Sequence, residues 1–344
     1  MIETYRALAL QVRCEAVNKY THNSDARKCI LNNIENIGQA IFASKAFIGS
    51  DLKLVVLPEY VLTGFPMGED FLQWQQKACL VKDGAEYREL GKIAQKNNMY
   101  IAGNAYECDE HFPNLYFQSC FIIAPEGNVA LRYRRLNSLY SPTPHDVWNK
   151  YLEIYGYESL FPVLNSPLGR LACVASEEIL FPELTRCLAM RGAEILLHST
   201  SEAAAVGTQI TPKDAAKISR SVENGMYVVS ANTAGISGTP LPSSSADGGS
   251  KIVDFNGRIV AQAGTGESMC AFSEVDVNAL RAARRRVGLT NLLCRQRFEL
   301  YAQSYAQNSF CEPNALATEE QISRQFFRTR QQENIESLIL KKII

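Results

Sequence analysis

Three places in the sequence gather side chains able to move protons or donate electron pairs. In the first, the apolar run 171–175 leads straight into Ser176-Glu177-Glu178, a hydroxyl followed by two carboxylates. A short apolar run of this kind makes a strand buried on both faces. Open α/β architectures place their chemistry at the C-terminal ends of such strands. Phe181-Pro182-Glu183 then opens a helix, with proline near the first turn and an acid where the helix dipole favours one. Taken alone, Ser176 to Glu178 reads equally well as a strand end followed by a helix cap. In the second place, Pro58-Glu59-Tyr60 directly follows the apolar run 52–57. In the third, Arg132-Tyr133-Arg134-Arg135 closes the run that begins at Val129, and is either a functional cation or a basic surface cluster.

The elements that must position these groups alternate along the chain. Strands are predicted at 7–12, 52–57, 99–106, 116–123 and 129–133, the last two joined by the turn Pro125-Glu126-Gly127-Asn128. Residues 26–47 carry Ile30, Ile34, Ile37, Ile41 and Phe47 at roughly helical spacing, and 85–96 also reads as helix. After the strand ending at Ala175 come a helix over 182–191 with Gly192 as its cap, a strand at 194–198, a helix over 212–224 and a strand at 226–232. Residues 250–255, 258–262 and 269–275 read as sheet strands, the first two joined by Asn256-Gly257. Strands interleaved with helices and followed by strand pairs argue a layered α/β domain. It is expected to occupy 1–290. The polar, partly helical extension 291–344 is expected to face a partner.

Composition narrows the function. The chain has 344 residues, 46% hydrophobic and 21% charged, which is ample for a globular core. A net charge of −1 gives no electrostatic case for nucleic acid or an anionic membrane. No apolar run approaches the length of a membrane span, and residues 1–6 lack the pattern of a signal peptide. Most of the ten cysteines stand singly in apolar segments, and neither they nor the four histidines show zinc spacing. A reduced, cytoplasmic protein with no metal and no cofactor is expected, acting on a small-molecule ligand or substrate.

Six stretches in this order resemble the nitrilase, or carbon–nitrogen hydrolase, superfamily over roughly 6–290. They are Leu57-Pro58-Glu59-Tyr60, Arg132-Tyr133-Arg134-Arg135, residues 169–183, residues 191–197, residues 219–224 with Ala231-Asn232, and residues 248–254. The resemblance implies an αββα sandwich whose layers pair with those of a second subunit into a four-layer assembly. It also implies a site of glutamate as base, cysteine as nucleophile and lysine as oxyanion stabiliser. Glu59 matches the glutamate. The lysine position falls on Arg135, whose planar fork is larger than a compact ammonium. Counting seven on from Gly169 or six back from Pro182, the nucleophile position falls on Ser176, while Cys173 lies within the strand.

A hydroxyl is far less acidic than a thiol and needs more help to attack. His145, Glu177 and Glu178 are candidates for that help, and Tyr60 for substrate binding. Glu59, Arg135 and Ser176 are expected to converge on one pocket, because each follows a strand end. Two functions remain open: an amide- or nitrile-directed hydrolase with an altered Glu-Arg-Ser site, or a silent pseudoenzyme that binds a ligand or serves as an assembly subunit. A homodimer is the expected minimum unit. Leu184, Cys187 and Leu188 on one helix, and Ala216, Ile218 and Val222 on another, spread around more of the helix than one buried stripe requires.

Overall fold

The computed structural model describes residues 2–203, 209–317 and 322–344. In chain order the first half holds β1 (Tyr5–Ala9), β2 (Cys14–Glu15), α1 (Asn23–Ile48), β3 (Leu52–Val56), α2 (Phe71–Ala78), α3 (Ala85–Asn97), β4 (Tyr100–Cys108), β5 (Tyr116–Ile123) and β6 (Val129–Arg134). The middle holds α4 (Trp148–Tyr155), β7 (Leu164–Ser166), β8 (Gly169–Ala175), α5 (Pro182–Met190), β9 (Ile195–Ser199), α6 (Pro212–Asn224) and β10 (Tyr227–Ala231). The remainder is β11 (Ile236–Ser237), β12 (Lys251–Val253), β13 (Ile259–Gln262), β14 (Phe272–Val275), α7 (Val277–Arg285), α8 (Glu299–Ala306) and α9 (Arg324–Leu340).

Two six-stranded sheets result, in the orders β14-β1-β3-β4-β5-β6 and β13-β12-β10-β9-β8-β7. Strands β1, β3 and β4 run parallel, as do β8, β9 and β10, and antiparallel partners close both edges. Alternation along each strand decides the layers. On β1, Ala7 and Ala9 face the core shared with Cys173, Leu197 and Val229 of the second sheet. Leu8 and Leu10 point the other way, onto Ile30, Ile34, Ile37 and Ile41 of α1. On the far side, Leu184 and Leu188 of α5 and Ala216 of α6 cover the second sheet. The architecture is the expected αββα sandwich.

Helices α2, α4 and α7 lie outside the elements expected from the sequence. Helix α2 is only eight residues long and is fixed at its start by a capping box between Asp70 and Gln73. The extension divides in two. Its first half leaves Leu300, Tyr301 and Phe310 exposed. In its second half, Leu316 and Phe327 pack on Phe112, Phe117, Val147 and Tyr151, and Arg330 pairs with Asp146 at 3.0 Å. That half lies on its own subunit, because Phe112, Phe117 and Tyr151 offer it an apolar bed and the loop before α4 a carboxylate.

Candidate active site

The site residues sit where strands end. Glu59 follows β3, Arg135 follows β6, and Ser176 follows β8. The two sheets are stitched together at this edge: the Glu59 amide donates to the Thr200 carbonyl at 3.2 Å, and the Ser199 hydroxyl donates to the Leu57 carbonyl at 2.8 Å. The Arg135 amide continues the β5–β6 ladder onto the Gln118 carbonyl at 2.9 Å.

Ser176 and Tyr60, the residue after Glu59, hold a conformation that L-residues avoid. Ser176 has φ +52° and Tyr60 has φ +61°. A non-glycine residue held there costs about 1–3 kcal/mol, and such residues cluster at functional sites. Ser176 is kept in place by His198, whose Nε2 lies 2.9 Å from the Ser176 carbonyl and whose Nδ1 lies 2.9 Å from the Ser230 hydroxyl. A carbonyl only accepts, so Nε2 carries the proton and Nδ1 accepts from Ser230. Burial holds the His198 pKa well below the usual imidazole value, so the ring is neutral.

Glu59 is fully buried. Its Oε1 accepts from Gln118 Nε2 at 2.8 Å and from Arg135 Nη1 at 3.2 Å. Its Oε2 is buried with no hydrogen-bond partner among the described residues. Burial raises the Glu59 pKa, while the charges of Arg135 and Lys213 and the nearby Ser176 hydroxyl hold it down. Arg135 is almost as buried and nearly saturated. Nε donates to the Asn137 carbonyl at 2.7 Å, Nη1 also donates to Gln118 Oε1, and Nη2 pairs with Glu177.

Glu178 acts as a clamp. Its Oε1 accepts from the Tyr133 hydroxyl at 2.6 Å and from the amides of Leu136 and Asn137 at 2.7 and 3.1 Å, and its Oε2 accepts from the Ala175 amide at 3.1 Å. One carboxylate therefore ties the segment after Arg135 to the segment before Ser176. Burial pushes its pKa up to about 7, against the pull of these donors.

His145 stands apart from this cluster. It lines a cavity of about 420 Å³ with Asp146, Trp148 and Arg330 of the extension, and its carbonyl accepts from the Asn314 amide at 2.9 Å. The loop leaves the site once Glu178 has gripped Leu136 and Asn137, which carries His145 outward. Tyr60 stacks on Tyr106 and lines a second cavity of about 250 Å³ with Phe65, Ser201, Ile236 and Leu241. Tyr60 and Ser201 are the chain neighbours of Glu59 and Thr200.

Sequence reasoning missed Gln118, His198 and Lys213. Gln118 is an amide that, with Ser119, breaks the apolar run 116–123, a readable signal. Lys213 is a cation in the first turn of α6, where the dipole disfavours one. Its Nζ lies 3.3 Å from Ser176 Oγ and 3.2 Å from Thr200 Oγ1.

A family model described as Carbon-nitrogen hydrolase matches residues 24–285, about three quarters of the chain. The chain belongs to the carbon-nitrogen hydrolase family. It is similar to the omega-amidase NIT2 of Danio rerio, with 23% identity over 273 residues, 79% of this chain and 93% of the relative. It is also 24% identical over 148 residues, 43% of this chain, to "Probable nitrilase C965.09" of Schizosaccharomyces pombe, of whose length it spans 50%. The crystal structure of a carbon-nitrogen hydrolase from Helicobacter pylori G27 shares its fold. That match has a TM-score of 0.64 at 19% identity and covers 88% of this chain and 99% of the other.

Proposed function

We propose that this carbon-nitrogen hydrolase cleaves a small, non-peptide amide with Ser176 as nucleophile and Glu59 as general base. The observation that supports the reading is a strand-end hydroxyl, held at positive φ, near a buried carboxylate that has one oxygen free. Glu59 takes the Ser176 proton as Oγ bonds to the amide carbon. The carbonyl π pair moves onto oxygen. Its return expels ammonia, which carries the proton handed back by Glu59. Water, deprotonated by Glu59, then attacks the acyl-serine, releases the carboxylic acid and restores the hydroxyl. Arg135, with Gln118, orients Glu59, while Glu178 and His198 position the two strand ends. The omega-amidase relative makes ω-amides of short dicarboxylic acids the first substrates to try.

Ammonia release from a panel of short primary amides, ω-amides and nitriles tests this reading. At least one compound should turn over, and Ser176→Ala should abolish that turnover. Retained turnover in Ser176→Ala would refute the serine mechanism. One observation favours the silent alternative: Arg135 and Gln118 occupy Glu59 Oε1. A panel in which nothing turns over would support that alternative.

The assembly and compartment readings extend the same proposal. The catalytic unit spans 1–290, and 291–344 is an extension. Phe181, Met190 and Val222 remain exposed on and beside α5 and α6, which fits a two-fold contact between copies of the chain. Light scattering should give at least twice 38.3 kDa, and a monomer would refute the contact. None of the ten cysteines is paired, which fits the cytoplasm. No helix among the described residues is long and apolar enough to cross a membrane.

A further inference from the structure

The position at which a lysine was expected holds an arginine that has little left to give. A guanidinium has five N–H donors. Arg135 directs four of them to Asn137, Glu59, Gln118 and Glu177, and two carboxylates face its single charge. An oxyanion forming on a substrate would have to compete with both. The cation that touches the Ser176 hydroxyl is Lys213, from a different element.

Several facts about Lys213 point the same way. Thr211 caps α6 by accepting from the Asp214 amide at 3.1 Å, and Pro212 occupies the first helical position, so Lys213 lies in the first turn. A cation there opposes the helix dipole, a penalty with no structural return in its own pairing. Two nearby acids are engaged elsewhere. Asp214 pairs with Lys217 and Lys251 at 3.1 and 2.8 Å, and Glu202 pairs with Lys217 at 2.6 Å. No carboxylate among the described residues forms an ion pair with Lys213. Of its three N–H donors, two meet Ser176 Oγ and Thr200 Oγ1, and one remains.

We infer that Lys213, and not Arg135, supplies the catalytic cation. Its ammonium contacts Oγ during attack and turns its remaining N–H to the oxygen on which negative charge develops. This rests on the serine-nucleophile reading above. In the addition step Oγ–C forms, the carbonyl π bond opens onto oxygen, and the Oγ proton goes to Glu59. Lys213 stays protonated throughout and only donates. Arg135 becomes a positioning residue that holds Glu59 and Glu177, and the positive charge has moved from the end of β6 to the start of α6 within one site.

The test does not need the natural substrate. An alkyl fluorophosphonate reacts by Oγ attack on phosphorus with loss of fluoride, the proton passing to Glu59, and it develops the same oxygen charge. Its labelling rate at Ser176 is read by peptide mass spectrometry in wild type, Lys213→Met and Lys213→Ala. Wild type should label at Ser176, and Lys213→Met should label about a hundredfold more slowly or worse, the loss typical of removing one oxyanion donor. Lys213→Ala should recover saturably with ethylammonium and not with tetramethylammonium, which has the charge but no N–H. Both variants should melt no lower than wild type, because they remove a cation from a helix N-terminus. Labelling of Lys213→Met within about twofold of wild type would overturn the inference and leave the serine reading standing. A loss that ethylammonium cannot restore would also overturn it, as the mark of a structural role. A folded wild type that does not label at Ser176 would overturn the serine reading itself.

Discussion

Replacing Arg135 with methionine should produce a destabilisation that grows with pH. Arg135 is 3% exposed and stands between Glu59, 0% exposed, and Glu177. Removing one partner of a buried ion pair costs about 3–5 kcal/mol, because the remaining charge has neither water nor counter-ion. Glu59 can escape this penalty only by taking up a proton. Its folded pKa is already raised by burial with Arg135 present, and loses its strongest opposing influence when Arg135 goes. A carboxyl whose folded pKa lies above the unfolded value, about 4.3, favours folding fully below that value and loses this contribution as pH climbs through the folded one. The variant should therefore lie close to wild type near pH 5 and fall about 3–5 kcal/mol below it at pH 8. At roughly 2 °C per kcal/mol for a chain of this size, that is a drop of about 6–10 °C in Tm. Urea unfolding at the two pH values, followed by tryptophan fluorescence, measures both arms. Equal destabilisation at pH 5 and pH 8, or less than about 1 kcal/mol at pH 8, would refute the claim that Arg135 compensates a buried, ionised Glu59.

Three other outcomes follow from the same geometry. Ser176→Gly and Ser176→Ala should both lack turnover, yet the glycine variant should be more stable by about 1 kcal/mol, since only glycine accepts the left-handed backbone without penalty; equal melting temperatures would remove the strain argument. With Glu178 titrating at about 7 in the folded state, its contribution to wild-type stability should decline as pH rises from 4.5 through 7; Glu178→Gln should flatten that slope in urea unfolding, and an unchanged slope would show that Glu178 is not its source. His198→Phe removes the donor to the Ser176 carbonyl and strands the Ser230 hydroxyl, at about 1–3 kcal/mol; a stability loss below about 0.5 kcal/mol would show that His198 does not hold the strand end.

Local pattern carried most of the fold. The strand at Tyr116–Ile123 and the helix at Pro212–Asn224 are readable to the residue, the first as a mostly apolar run between polar turns, the second from its helical period bounded by Thr211-Pro212 and Gly225. The helix at Phe71–Ala78 is harder to read, its two turns too short to show a period and its start marked only by the Asp70–Gln73 capping box. The strand-end positions of Glu59, Arg135 and Ser176 are likewise local features. What joins them is not. Gln118 meets Glu59 only because β5 lies beside β4 and β6, and Lys213 meets Ser176 only because α6 starts at the end of β8. His145 illustrates the reverse case: close to Arg135 in sequence, it is carried away once Glu178 grips the intervening backbone.

The measurement that bears most directly on the serine mechanism is a rapid-quench intact-mass experiment with p-nitrophenyl acetate, followed by peptide mapping. One acetyl group per chain should appear on Ser176 in the first turnover, decay as water enters, and be absent in Ser176→Ala. A first turnover with no adduct, or an adduct carried by any other residue, would contradict it.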